Sequence, residues 1–351
     1  MITSFSFINK YLGWRNWSVL LYNSAIENVF LIMYIALHDR ISSPRFLFEF
    51  FSFFLFSMFS TTYGYLVNDL TDRDIDRLHG KVNTFQDDST GKATLIVFLF
   101  FILSIFFTIP FLKKDFFLPL WIGWFLVSTF YSLKPIRLKE RGKVGLAFVV
   151  LAQRGLPALI VFSAFGHGDW FTVLIFTVYI LFRGLSSDLN HQYQDFHNDI
   201  STGTTTFAVQ TGINKVQGIL RASLEIEKGI LLICLLLMCI KITSIGPHGI
   251  FFILPILIIY IALYVYSLFI APKSIFETIN PYTCGRKSVF HFLHHTFPSV
   301  GLPIYLGILV SFQNPIYFLI TVFFIIYRKL YSLELIINTF PFNVLKKMFV
   351  K

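Results

Sequence analysis

Charge is what this 351-residue chain has least of: Asp, Glu, Lys and Arg together make up 14% of it, and only 19 residues are acids. A soluble globule carries about a quarter of its residues as charges, so that class is excluded. Cysteine is equally sparse. Of the three, Cys234 and Cys239 fall within one apolar run, which excludes a disulfide framework and a thiolate metal site. No low-complexity linker or soluble insert interrupts the chain, and residues 1–351 read as a single transmembrane domain. The first 17 residues lack the apolar core and small-residue cleavage site of a signal peptide. Phe5, Phe7, Ile8, Tyr11, Trp14 and Trp17 instead predict a helix lying in the membrane interface.

What the chain has in excess is apolar surface, with 55% hydrophobic residues, Phe at 44 positions and a mean hydropathy of +0.69. Stretches of roughly 17–25 apolar residues suit a bilayer-spanning helix. They occur at 18–38, 46–67, 93–112, 116–133, 144–165, 170–187, 228–246, 249–270 and 295–313, with a shorter one at 315–327. The expected fold is an all-α, polytopic membrane protein of nine helices, or ten if the last run crosses.

The net charge of +10 invites a nucleic-acid reading, but the cations are sorted by loop, as membrane topology requires. Loops on the side of the N-terminus hold 17 Lys and Arg and the opposite loops 5. The tail from 328 to 351 is also basic and joins the richer side if a tenth span exists. No nucleic-acid partner is expected, and the richer side is taken as cytoplasmic.

Seven of the 19 acids fall in two windows, 69–76 and 188–199, each where a span ends. Asp69, Asp72 and Asp76 share one face of a helix continuing the second span, and Asp195 and Asp199 repeat the i, i+4 spacing beyond the sixth. Carboxylates this close repel one another unless cations intervene. Mg²⁺ typically takes one or two carboxylates plus substrate phosphates, so two such sets can clamp one diphosphate. Each set precedes a loop with glycine, Gly80 or Gly203, which suggests an internal duplication. Asp74, Asp87, Asp88 and Asp188 fall off this spacing and read as solvated or capping residues.

Between the acidic segments lies the most basic loop, Tyr131 to Lys143, whose Lys134, Lys139 and Arg141 are candidates to stabilise a departing diphosphate. Polar residues within spans are a further clue: Asn23, Glu27, Gln153, Arg154 and Arg183 either pair between helices or touch substrate. His291, His294 and His295 could bind a metal, but with no matching acid they read as an interfacial helix end.

Asn68-Asp69-x-x-Asp72-x-x-x-Asp76 resembles the signature of the UbiA superfamily of intramembrane prenyltransferases. Asp195-x-x-x-Asp199 followed by Gly203-Thr204-Thr205-Thr206 is similar to that family's second motif, and Tyr131 with Pro135-Ile136-Arg137-Leu138-Lys139 to its intervening loop. The chain departs at Phe196-His197-Asn198 and at Lys81-Val82-Asn83. The resemblance implies nine helices around a central cavity, Mg²⁺ as cofactor, an isoprenyl diphosphate donor, and transfer of the prenyl group to a lipid-soluble or membrane-surface acceptor. It implies metal binding by Asp69, Asp72, Asp76, Asp195 and Asp199, with Asp72, Asp76, Asp195, Asp199 and Lys139 catalytic. Substrate contacts are expected from Asn68, Asp69, Arg73, Arg77, Tyr131, Lys134, Arg141, Asn23 and Arg154. An intramembrane terpene cyclase would use the same ionisation without an acceptor. A transporter would instead place its acids near mid-membrane. Composition without a transit peptide points to a prokaryotic plasma membrane.

Overall fold

A computed structural model describes residues 2–13, 17, 23–78, 80–201, 203–242 and 249–349. Trp14 of the expected interfacial segment, residues 18–22 of the first apolar stretch and 243–246 of the seventh lie outside them. Among the described residues the regular structure is helical, with no strand. In lipid an open chain satisfies every backbone N–H and C=O only as a helix.

The principal helices are α1 (Ile2–Tyr11), α2 (Val29–His38, after one turn at Ser24–Glu27), α3 (Arg45–Leu78), α4 (Thr90–Phe111), α5 (Phe117–Ser132), α6 (Lys143–Ala164), α7 (Trp170–Ser201), α8 (Ile213–Ile242), α9 (Gly249–Ile270), α10 (Val289–Gln313) and α11 (Phe318–Tyr327). Helices α3, α4, α6, α7, α9 and α10 are long and apolar enough to cross a bilayer. On α4, Leu95, Phe98, Leu99, Ile102, Phe106 and Ile109 are exposed at helical spacing. That stripe suits lipid and would be a liability in water.

The 34 residues of α3 and 32 of α7 span roughly 50 Å each, against a hydrocarbon core of about 30 Å. Their polar ends therefore extend past the apolar layer, and these ends carry the acidic motifs. This corrects one sequence expectation. Much of 188–228, read as a loop from its polarity, is the helical overhang of α7 and α8.

The chain divides into two compact units. One comprises residues 1–26 and 45–166, and the other 27–44 and 167–351. Each contains a series of four helices, α3–α6 or α7–α10, whose fourth member widens into π-helical turns, at Leu151–Gly155 and Phe292–Gly301. Proline explains the widening, because its ring clashes with the carbonyl four residues back and it has no N–H to donate. Pro157 acts on Gln153 in this way, and Pro298 and Pro303 on His294 and Ser299. In α6 the Leu156 N–H bonds the Leu151 carbonyl, and the Trp124 indole donates to the Ala152 carbonyl at 2.9 Å.

Two further expectations change. Asp88 is buried rather than solvated, held by Lys10 at 2.7 Å, Lys92 at 2.7 Å and the Tyr11 hydroxyl at 2.8 Å, so α1 docks on the loop before α4. Burial alone would raise its pKa, but these three donors bring it down to about 2. The histidine run falls in the first two turns of α10, a helix end as expected, but it is packed inside the protein and has an acid beside it. His291 and His294 are buried, and His294 Nδ1 is 3.2 Å from Glu227.

Candidate active site

The last turns of α3 present their polar residues in two directions. Asn68 and Asp72 face the loop after α5, where Lys139 donates to Asn68 Oδ1 at 2.8 Å and also to the Asp72 carboxylate. Arg137 reaches the other oxygen of Asp72 at 3.0 Å, and the Ser132 hydroxyl donates to Asn68 at 2.8 Å. Asp69 and Asp76 face the loop after their own helix. Asp69 is buried and accepts the Thr84 N–H at 3.2 Å, while Asp76 accepts the Asn83 side chain at 2.8 Å. One helical face of acids is thus divided between a cationic loop and an amide-rich one.

Local backbone geometry turns the cations inward. Arg137 sits at φ 40°, a left-handed conformation unfavourable for a residue with a side chain, and is held by Asp72 and by Glu140 at 2.5 Å. Gly145, in the first turn of α6, lets that helix approach the same loop. A Cβ there would meet the Leu138 carbonyl oxygen at 2.7 Å and the Lys139 carbonyl oxygen at 3.2 Å. Burial lowers the pKa of Lys139, and contact with Asp72 only partly restores it. For Arg137, burial is outweighed by Glu140 and Asp72, so its pKa rises.

Behind Asn68 opens a cavity of about 300 Å³ within the first unit. Its lining is apolar at Phe53, Phe56, Val149 and Ile160, and polar at Ser57, Ser60, Thr61, Ser128, Gln153 and Arg154. Tyr65, Tyr131, Asn68 and Ser132 also line it. Asn23 reaches it from the other side, accepting the Ser57 hydroxyl at 3.2 Å.

Of the expected residues, the structure gathers Asn68, Asp72 and Lys139 by direct bonds, and lines the cavity with Asn23, Asn68, Tyr131 and Arg154. Four others stand apart. Arg73 donates to the Asp88 carbonyl at 3.2 Å and to Thr90 at 3.1 Å, bracing the loop. Arg77 and Lys134 are exposed, and the exposed Arg141 donates to the Ile136 carbonyl at 2.9 Å. Arg183 and Glu27, 3.9 Å apart, are a buried pair in the second unit, with Asn28 accepting from Arg183 at 2.9 Å. Arg137 and Ser132 belong to the basic loop but are not marked out in it by the sequence, and Gly145 lies just beyond it. Five cations share that loop, and nothing in their spacing marks the inward ones.

The second motif closes α7. Asp199 accepts the Thr206 hydroxyl at 3.1 Å, Gln192 accepts the Ala208 N–H at 3.1 Å, and Asp195 is exposed.

The chain is 18% identical to a UbiA homologue from Archaeoglobus fulgidus whose structure was solved bound to DMAPP and Mg²⁺. The TM-score is 0.55, covering 86% of this chain and 99% of the other. The same homologue bound to GPP and Mg²⁺ matches at a TM-score of 0.54 with the same identity and coverage. These similarities show the fold. A digeranylgeranylglyceryl phosphate synthase from Sulfurisphaera tokodaii is 28% identical over 155 residues, which is 43% of this chain and 54% of that relative's length. The model of the UbiA prenyltransferase family matches residues 28–278, so this integral membrane protein belongs to the UbiA prenyltransferase family.

Proposed function

We propose that the chain moves the prenyl group of an isoprenyl diphosphate onto an acceptor within the membrane, in a Mg²⁺-dependent reaction that releases diphosphate. The observation that carries this reading is the junction at Asn68, where a carboxylate face and two inward cations meet the mouth of a cavity with aromatic and aliphatic walls.

The donors fit the cofactor and the substrate. Asp72 and Asp76 offer hard oxygen ligands on one helical face, as Mg²⁺ prefers. The buried Arg137 Nη1 has no hydrogen-bond partner among the described residues, a vacancy suited to a phosphate oxygen. Bound Mg²⁺ would supply charge neutralisation for the diphosphate; Asp72 and Asp76 are the ligands offered by the first motif, and Asp195 and Asp199 those offered by the second, each considered within its own unit.

Arg137 and Lys139 hold the leaving group as the C–O bond lengthens. Water would convert the allylic cation to an alcohol, so Phe53, Phe56, Val149 and Ile160 serve by excluding it. Tyr65 and Tyr131 line the same cavity, and aromatic rings there can stabilise passing positive charge. The acceptor is proposed to be a lipid-soluble or membrane-surface molecule, and the cation-rich loops to face a prokaryotic cytoplasm.

Purified protein in detergent, given geranyl diphosphate and Mg²⁺ with a panel of acceptors, is expected to release pyrophosphate. Asp72→Ala and Asp195→Ala should each lower the rate by about 10²–10³-fold. Unchanged turnover in both variants would sink the assignment. The mass of the lipid product separates transfer from cyclisation.

A further inference from the structure

At the far end of α7 from its acidic motif, three side chains converge that the reaction does not use. His38 closes α2, Asp39 follows it, and His167 stands just before α7. His38 Nδ1 lies 2.6 Å from one Asp39 oxygen and His167 Nδ1 2.9 Å from the other. The three ligand atoms all fall within 4.8 Å of one another. From Trp170 to Asp195 along α7 is roughly 38 Å, so this cluster is separate from the acidic motif.

We infer that His38, Asp39 and His167 form a binding site for a single transition-metal ion, Zn²⁺ by preference, that clasps the end of α2 to the start of α7. Two imidazoles and a carboxylate are a donor set suited to zinc, with a water in the fourth position. Tetrahedral bonds of about 2.0–2.1 Å place ligand atoms about 3.4 Å apart. Reaching that spacing takes movements of about 1 Å, with the ion in place of the Nδ1 protons that now bridge to Asp39.

The surroundings are built for such a role. The His167 side chain is 1% exposed whereas that of Asp39 is 31% exposed, which gives a fixed ligand behind and an entry path in front. The rings of His38 and His167 stand 5.0 Å apart at 81°. Tyr34 packs against both, at 5.6 and 5.9 Å, limiting their rotation.

The test uses full-length protein in detergent, stripped with a chelator and returned to excess Mg²⁺ so that the acidic motifs are occupied. Zn²⁺ uptake is then measured by elemental analysis, and Co²⁺ binding by its visible spectrum. One equivalent of Zn²⁺ and the intense bands of tetrahedral Co²⁺ are expected. His38→Gln and Asp39→Asn, both at partly exposed positions, should each weaken binding by at least about tenfold. His167→Gln should do the same if it folds. Wild-type protein that takes up no Zn²⁺ overturns the site. So does binding that survives in His38→Gln and Asp39→Asn but disappears in an Asp72→Ala, Asp195→Ala double variant, which would assign the ion to the acidic motifs.

Discussion

The ends of α3 and α7 are built to one plan and differ in one element. In each, a glycine at positive φ, 64° at Gly80 and 68° at Gly203, stops the helix. In each, the residue after it bonds back to the carbonyl of the last motif aspartate, Lys81 to Asp76 at 2.8 Å and Thr204 to Asp199 at 2.9 Å. That is the six-to-one bond of a Schellman cap. The same aspartate accepts from a side chain seven residues on, Asn83 or Thr206. A side chain seven positions before it, Asp69 or Gln192, accepts an N–H from the returning loop at Thr84 or Ala208. What differs is the middle aspartate. Asp72 is held by Arg137 and Lys139, while Asp195 is exposed and, among the described residues, makes no ion pair.

The shared plan fixes where the motif ends, and on the proposed function the difference leaves the cationic contribution to the first motif. Losing the cations should therefore have the largest effect. Arg137→Met or Lys139→Met is expected to lower kcat by about 10²–10³-fold with the fold intact by circular dichroism. Because the folded pKa of Lys139 lies below that of a free lysine, kcat/KM should fall on the alkaline side before pH reaches the ordinary lysine range of about 10.4. Lys139→Arg should move that limb upward. A pH profile unchanged by Lys139→Arg would remove lysine from the mechanism.

The shared caps give a smaller effect and a symmetric one. At both Gly80 and Gly203 a Cβ meets nothing within 4 Å, so alanine costs only backbone conformation, about 1–2 kcal/mol. Thermal or denaturant unfolding should show similar losses at the two positions. Unequal losses would mean that the two caps, though alike in geometry, are not alike in strain. The smallest effect is expected from Asn83→Ala and Thr206→Ala, each removing one anchor of the last aspartate, worth about 0.5–1.5 kcal/mol. A several-fold higher Mg²⁺ requirement in either variant would show that anchoring tunes the carboxylate. No change would leave these anchors a purely structural role.

Much of this architecture was legible in sequence because the lipid environment leaves few options. Apolar stretches of the right length became helices, and acids at i, i+4 spacing ended on one helical face of α3. The overhang of α3 was read from its i, i+4 acids, but that of α7 and α8 was not, since hydropathy reads a polar helix end such as 188–201 as a loop. The duplication showed only as acids followed by glycine. Its finer matches, Asp69 with Gln192 and Asn83 with Thr206, pair different residue types that share only a hydrogen-bonding task. Arg137 stayed hidden among five cations because its selection depends on a left-handed φ and on the absence of a side chain at Gly145. Asp88 looked solvated because its partners Lys10 and Tyr11 come from a distant part of the chain. His38, Asp39 and His167 were invisible for the same reason, being brought together by the packing of the second unit.

The unbroken course of α3 has a consequence for substrate selection. The same continuous helix bears Asn68 and Phe53 on the cavity lining, fifteen positions or about 22 Å apart. If the proposed function holds, it serves as a ruler whose zero is set by the carboxylates. On the proposed function, changes in side-chain size at Phe53, Phe56 and Ile160, all on the cavity wall, are expected to alter which donor tails are accepted.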